Sequence, residues 1–326
     1  MFKGFLFIGD PHLTHLKPER RVDDFVATLF DKMSQAGSIS HRRKLVPVIT
    51  GDLFHRALES HLPLLGQLWD ILKEFPCAPW VLNGNHGKKE NFLSDFDAIA
   101  FMEKVGTFPV IKEAGFSHTF EFEAGVAHLW GVPHGFPIPK EIEAKTGFNV
   151  MVTHHDLAFK GAYPGAALLH EIKGCDVVVN GHMHKTAPSV LKGQTIWHNP
   201  GNIIRLSSDT VDHVPSVWEW TPDKPGEFLQ HPLAFVRDVF DMTGKQVAPA
   251  SNTALKQSLP KAMKLSQFAE LFAVNTAREV RRSEDGATLE DSIKEELAKA
   301  DAPEALRAYL SALAKETIEE KLGVKA

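Results

Sequence analysis

The chain is short of thiol and phenol: 326 residues contain 2 cysteines and 2 tyrosines. With Cys77 and Cys175 as its whole supply of thiols, it cannot build a disulfide framework or a cysteine-based zinc cluster. Two thiols suit a reducing compartment, so a cytoplasmic location is the expectation. Long apolar runs are missing too. No window approaches the roughly 18 apolar residues of a membrane-spanning helix, so no membrane role is expected. The opening MFKGFLFIGD is one short apolar run ending in an acid, without the length or the small-residue cleavage site of a secretory signal. Positive charge is not in excess either. At a formal net charge of −5, nucleic-acid binding has to come from a local basic patch or from bound metal.

What the chain does have is histidine, 17 residues of it. Imidazole in excess points to metal or proton chemistry, or else to scattered surface positions. Position along the chain decides between them. Short apolar runs at 5–8, 45–49, 80–82, 150–153 and 176–179 read as buried strands, and each is followed at once by a polar cluster: GDPH, GDLFHR, NGNHG, HHD and NGHMH. Helical periodicity fills 23–33, 62–75 and 92–105 between them. That alternation predicts an α/β layered domain, and polar residues just past strand C-termini are where open α/β sheets place their sites. Residues 108–130 and 195–240 are β-like and would extend a second sheet or form a small β cap. Three regions result: a core over 1–205, a β capping or extension segment over 206–242, and a linker with a helical C-terminal region of two or three helices over 243–326.

The strand-end clusters carry the chemistry. Asp10 and His12 leave the first strand at i, i+2 spacing, which puts both side chains on one side of the chain. Asp52 follows the second strand, Asn85 and His86 the third, and His154 and His155 the fourth. His182 and His184 repeat the i, i+2 geometry after the fifth. Any one block reads equally well as a turn or cap. Five in series, each at a strand end, do not.

The order D-x-H, G-D-x-x-x-R, G-N-H, a strand-ending His and G-H-x-H resembles the calcineurin-like metallophosphoesterase superfamily over residues 5 to about 205. The resemblance implies a two-layer β-sandwich flanked by helices, with two divalent ions at one sheet edge. By it, Asp10, His12, Asp52 and His184 hold one ion. Asp52, Asn85, His182 and a His of the 154/155 pair hold the other, with Asp52 bridging. The family's ligand is usually the first His after the strand, which favours His154 and leaves His155 supporting the site or facing substrate. Mixed imidazole, carboxylate and amide ligands suit manganese first, with iron or zinc as alternatives, rather than calcium. Two dications outweigh the carboxylates of Asp10 and Asp52, so the site attracts a phosphate ester and favours its hydrolysis. His86 would face away from the coordination made by its neighbour and protonate the leaving oxygen or stabilise the transition state.

GDLFHR further resembles the GDLFH of SbcD-type DNA repair nucleases, which implies that His55 takes part in catalysis or orients the catalytic pair. HNPGNIIRLS, residues 198–207, resembles the stretch that closes that nuclease core. The implied function is a manganese-dependent DNA exo- or endonuclease, with Arg56 and His155 as candidate substrate contacts. The implied partners are DNA, a second copy of the chain through 62–75 and 92–105, and an SbcC-type coiled-coil ATPase on the C-terminal helices. Those helices could equally pack on the chain's own core. A small-substrate phosphodiesterase or phosphatase of the same superfamily, and a non-catalytic scaffold, are the rival readings. The sequence departs from the family at Gly87, where an acid is usual, so whatever orients His86 must come from elsewhere. Lys88 and Lys89 follow, as backbone-phosphate contacts or as a solvated pair. His15 reads as a loop residue and His198 as support for the site. The remaining eight histidines, from His41 to His231 and including His134, read as scattered surface positions.

Overall fold

The computed structural model describes residues 1–18, 20–87, 93–159 and 165–242. The chain divides into two units, residues 1–17 with 21–240 and residues 18–20 with 241–326. The first holds the sheets and every candidate site residue. Of the second, Asp241 N–H donates to the Arg20 carbonyl at 2.8 Å. The expected C-terminal helices, Lys88, Lys89 and the start of the expected 92–105 helix lie outside the described residues.

Among the described residues, three α-helices and twelve strands build the first unit, with one short 3-10 turn at Ser208–Thr210. In chain order they are β1 (Gly4–Ile8), α1 (Phe25–Arg43), β2 (Leu45–Ile49), α2 (Leu62–Leu72), β3 (Trp80–Leu82), α3 (Ala98–Lys104), β4 (Val110–Ile111), β5 (Gly115–Phe122), β6 (Gly125–Val132), β7 (Phe148–His154), β8 (Val177–Gly181), β9 (Ala187–Lys192), β10 (Thr195–Asn199), β11 (Ser216–Trp220) and β12 (Leu229–Pro232). They form two six-stranded sheets, ordered β12-β11-β1-β2-β3-β4 and β5-β6-β7-β8-β10-β9. Strands β1 to β4 run parallel, as do β6, β7, β8 and β10; antiparallel strands close every edge except that of β4. The 206–242 segment supplies β11 and β12, which extend the sheet of β1.

Strand alternation sorts the core. Phe5 and Phe7 of β1 join Val46, Val48, Leu129, Val150, Val152, Val177 and Val179 between the sheets. Leu6 and Ile8 face the other way, under α1, α2 and α3. All three described helices thus lie on the first sheet, while Leu157, Ile172 and Phe136 from irregular segments cover the outer face of the second. Helix α1 runs ten residues past its expected end at 33, through a Ser/Gly-rich stretch of weak helix propensity. Burial of Ala36 and Ile39 sustains it, and Gly37 admits the Phe75 ring at 3.1 Å from where a Cβ would stand. Asp24 caps its start by accepting from Ala27 N–H at 3.1 Å, and Lys44 ends it in the left-handed region at φ 57. Helix α3 begins at 98, later than its periodicity suggests, because the Asp97 carboxylate takes the Ser94 N–H at 2.7 Å and holds residues 94–97 in a turn.

Several histidines read as surface residues prove structural. The imidazole of His61 caps α2 by accepting from Leu64 N–H at 3.3 Å. His128 lies buried between Thr119 and the Thr146 carbonyl, and His213 is buried against the Asn202 carbonyl at 2.7 Å. His198 is corrected as well. It stacks on Phe228 at a 4.0 Å ring separation and meets Trp218 edge-on at 4.5 Å, so it is a packing residue of β10. Burial pushes its imidazole down to about 3. Because the folded value lies below the unfolded 6.5, the unfolded chain binds the proton first and stability falls as pH drops from about 6.5 towards 3. His198→Phe keeps the stack and removes this group. Urea unfolding at pH 6.5 and pH 5 should show the wild type losing on the order of 2 kcal/mol more than the variant over that interval. Equal losses would refute the assignment.

Candidate metal centre

The C-terminal ends of β1, β2, β3, β7 and β8 converge on one edge where the two sheets meet. His12 N–H donates to the Asp52 carbonyl at 2.9 Å, joining the first two strand ends. The Thr50 carbonyl takes Nδ1 of His154 at 3.0 Å, joining the sheets. The backbone is forced to do this. Five described non-glycine residues have positive φ, and four of them are here: Asp10 at 24, His12 at 48, Asp52 at 39 and His182 at 71. Such conformations cost about 1–3 kcal/mol each and persist only where surrounding structure imposes them.

The side chains gather as two linked groups. Asp10, His12 and His184 bring ligand atoms within 4.8 Å of one another, and so do Asp52, His154 and His182. In the first, Nε2 of His12 stands 3.0 Å from Nε2 of His184. Two imidazole nitrogens facing each other can share at most one proton, whereas a cation between such atoms uses both lone pairs. In the second, Nε2 of His154 lies 3.1 Å from Asp52 Oδ2 and 2.9 Å from Asn85 Oδ1, and Asn85 Oδ1 is also 3.0 Å from Nδ1 of His182. Asp52 Oδ2 lies 3.8 Å from Nε2 of His12, so this carboxylate connects the groups. All seven residues expected as ligands are thus brought together, and His154 rather than His155 turns inward. His155 points Nε2 at the Phe136 carbonyl, 2.8 Å away.

Glycine makes the approach feasible. A Cβ on Gly84 would fall 2.0 Å from Asp52 Oδ1, and one on Gly51, at φ 138, would fall 1.9 Å from Nδ1 of His154. Behind the site two asparagines tie the loops, and neither was anticipated. Asn180 Oδ1 accepts from Thr153 Oγ1 and His155 N–H at 2.8 and 3.0 Å, and its amide donates to the His155 carbonyl at 2.9 Å. Asn199 donates to the Met183 and Lys185 carbonyls, both at 2.9 Å, fixing the turn that carries His182 and His184. Both follow strand-end runs in the sequence, but an asparagine there reads only as a turn residue.

His55 and His86 sit beside the first group and, with His12, make a third set of ligand-capable nitrogens within 4.8 Å of one another. Their rings stack at 5.3 Å, and His86 meets His12 edge-on at 5.0 Å. Nδ1 of His86 lies 2.8 Å from the His55 carbonyl, and His86 N–H donates to Asp52 Oδ1 at 2.9 Å. The missing acid at Gly87 is therefore replaced by a backbone carbonyl from the GDLFHR block. Arg56, next along that block, is exposed. His15 pairs with buried Glu59 at 3.0 Å and stacks on His61, outside both groups. His134, given no role from the sequence, comes within 5.9 Å of His182, ring to ring.

Electrostatics separate the two carboxylates. Burial pushes the Asp10 carboxyl up, and the His154 imidazole only partly offsets this. Burial opposes ionisation of Asp52 as well, yet the imidazoles of His154 and His12 hold it well below the usual carboxylate range. Against its own burial, His154 is pushed up to about 9 by Asp52 and Asp10. Burial drives His12 well down and His182 to about 2, leaving their nitrogen lone pairs available. The donor set therefore fits metal: neutral imidazoles, an ionised carboxylate and an amide oxygen converge, and a proton on His154 Nε2 occupies a position that two oxygens share. What such a centre can do is bind and polarise a phosphate ester.

A family model of calcineurin-like phosphoesterases matches residues 4–186. No curated protein matches the chain. Among solved structures it is similar to a novel archaeal phosphodiesterase, with 14% identity and a TM-score of 0.37 over 70% of this chain and 99% of that one. The matched stretch takes in more than half of the chain and every residue of both groups, from Asp10 to His184, and by it this chain belongs to the calcineurin-like phosphoesterase family of metal-dependent phosphoester hydrolases.

Proposed function

We propose that the chain is a phosphodiesterase acting on DNA in the manner of SbcD-type nucleases. Asp10, His12, Asp52 and His184 would hold one divalent ion, and Asp52, Asn85, His154 and His182 the other, manganese being the first choice. The observation that carries the reading is the His55/His86 pair. A histidine three positions past the shared carboxylate lends its backbone carbonyl to the histidine that follows Asn85, 2.8 Å away. When bound, the cations supply electrophilic activation of the phosphoryl group and of the attacking water.

The chain's own residues do the rest. With Nδ1–H donated to the His55 carbonyl, His86 presents Nε2 to substrate, and from Nε2 it delivers a proton to the leaving oxygen. The His55 ring, stacked on that of His86, keeps it from turning. Exposed Arg56 contacts a neighbouring phosphate of a polymeric substrate. His155 holds its place through the Phe136 carbonyl and lines the far side. A homodimer would cover Leu62 and Trp69 of α2, Phe101 of α3 and Val105 just after it, all exposed apolar side chains. Docking of an SbcC-type ATPase is proposed for residues beyond 242. No helix among the described residues is long and apolar enough to cross a membrane.

One observation favours a second reading, a small-substrate phosphodiesterase. Arg205 of the NPGNIIR stretch is buried, with its guanidinium donating to the Val211 and Val236 carbonyls, so it serves packing and is not offered to DNA. The readings part on substrate. Manganese-loaded protein should degrade linear double-stranded or single-stranded DNA as well as bis-p-nitrophenyl phosphate. Turnover of the chromogenic diester with no cleavage of either DNA would leave the small-substrate reading standing alone.

Two substitutions test the roles. Asp52→Ala should abolish binding of both ions, because it connects the groups; metal analysis giving wild-type content would overturn that assignment. His86→Ala should retain both ions and lower kcat by about 10²–10⁴, the range of a lost general acid. Loss of metal in that variant would make His86 a ligand instead.

A further inference from the structure

The turn after β6 carries an imidazole that neither metal group uses. Phe136 N–H donates to the Pro133 carbonyl at 3.2 Å, with Gly135 at φ 93 closing the turn, and His134 N–H reaches the Asn83 carbonyl at 3.3 Å. This ties the turn to the segment that leads into Asn85. The half-buried His134 ring then stands 5.9 Å from His182 and 6.4 Å from His154 and His155, centroid to centroid. The same turn positions His155, whose Nε2 meets the Phe136 carbonyl at 2.8 Å.

The result is a centre flanked by imidazole on both sides. His55 and His86 stand beside His12; on the other side His134, itself 6.4 Å from His155, stands beside His182 and His154. His134 is set further back than the ligand candidates. Rings within the groups are 4.9 and 5.2 Å apart, for His12–His184 and His154–His182, and His134 is outside the described sets of ligand atoms that lie within 4.8 Å of one another. That set-back suits a group that meets what the ions hold, not the ions themselves. A phosphodiester bound across both groups has two non-bridging oxygens, and one donor side chain, His86, serves only the leaving-oxygen side. We infer that His134 is a substrate-binding residue whose imidazole N–H donates to a non-bridging phosphoryl oxygen on the side away from His86. The inference rests on the phosphodiesterase reading above and adds a specificity-bearing contact to it.

The test compares wild type, His134→Ala and His134→Gln, all manganese-loaded. It measures metal per chain, affinity for inorganic phosphate by calorimetry, and kcat and KM on bis-p-nitrophenyl phosphate. The expected result is unchanged metal content in both variants, a roughly tenfold weaker phosphate Kd with a matching rise in KM for His134→Ala, and partial recovery in His134→Gln, which keeps an N–H donor. An unchanged phosphate Kd in His134→Ala overturns the inference, as does loss of metal, which would make the ring a support for His182. A wild type that binds neither manganese nor phosphate would instead bring down the phosphodiesterase reading itself, and this inference with it.

Discussion

The arrangement turns on one carboxylate. Asp52 leaves β2 in a left-handed conformation, is almost wholly buried, and uses both oxygens. Oδ1 accepts from the backbone of His86, which fixes the loop after β3; Oδ2 faces His154 from the second sheet and His12 from the first. An ionised group so placed is tolerable only with positive charge beside it, since removing a carboxylate from water costs several kcal/mol. The His154 imidazole lies beside it, and against its own burial is pushed up to about 9 by Asp52 and Asp10. The sheets are therefore joined at this edge by an electrostatic necessity, beyond the apolar packing of Phe5, Phe7 and their valine partners.

Legibility in the sequence followed periodicity. Strands buried on both faces appear as compact apolar runs, and four of the five expected from such runs, 5–8, 45–49, 80–82 and 150–153, lie within observed strands. The clusters after them located the seven candidate ligands because sheet topology sends parallel strand ends to one edge. What stayed hidden depends on tertiary contact. Helix α1 continues through Gly37 because Phe75 needs the space, and nothing local announces Phe75. β11 enters the first sheet beside β1 by antiparallel pairing of Phe5 with Trp220, a partnership across the whole domain. Buried His128, His198 and His213 are indistinguishable in sequence from solvent-facing histidines.

The pairing of His86 with the His55 carbonyl shows how one position can be relieved of a duty. A side-chain acid beside His86 would orient the ring and add charge. A carbonyl orients it as well but adds only a dipole. Gly87 is compatible with this, because a Cβ there would come within 2.9 Å of Asn83 Oδ1, in the segment that also receives the His134 turn.

The left-handed backbone at Asp10, His12, Asp52 and His182 has an evolutionary consequence. Glycine would occupy each of these dihedral angles without steric penalty, so every one of the four positions holds a residue that the local backbone disfavours. A copy of this chain released from selection would find steps towards glycine downhill in local strain while they dismantled the centre. Asp and His at these strained points, rather than the fold around them, are where loss of use would register first, and decay here would outrun decay of the sheets.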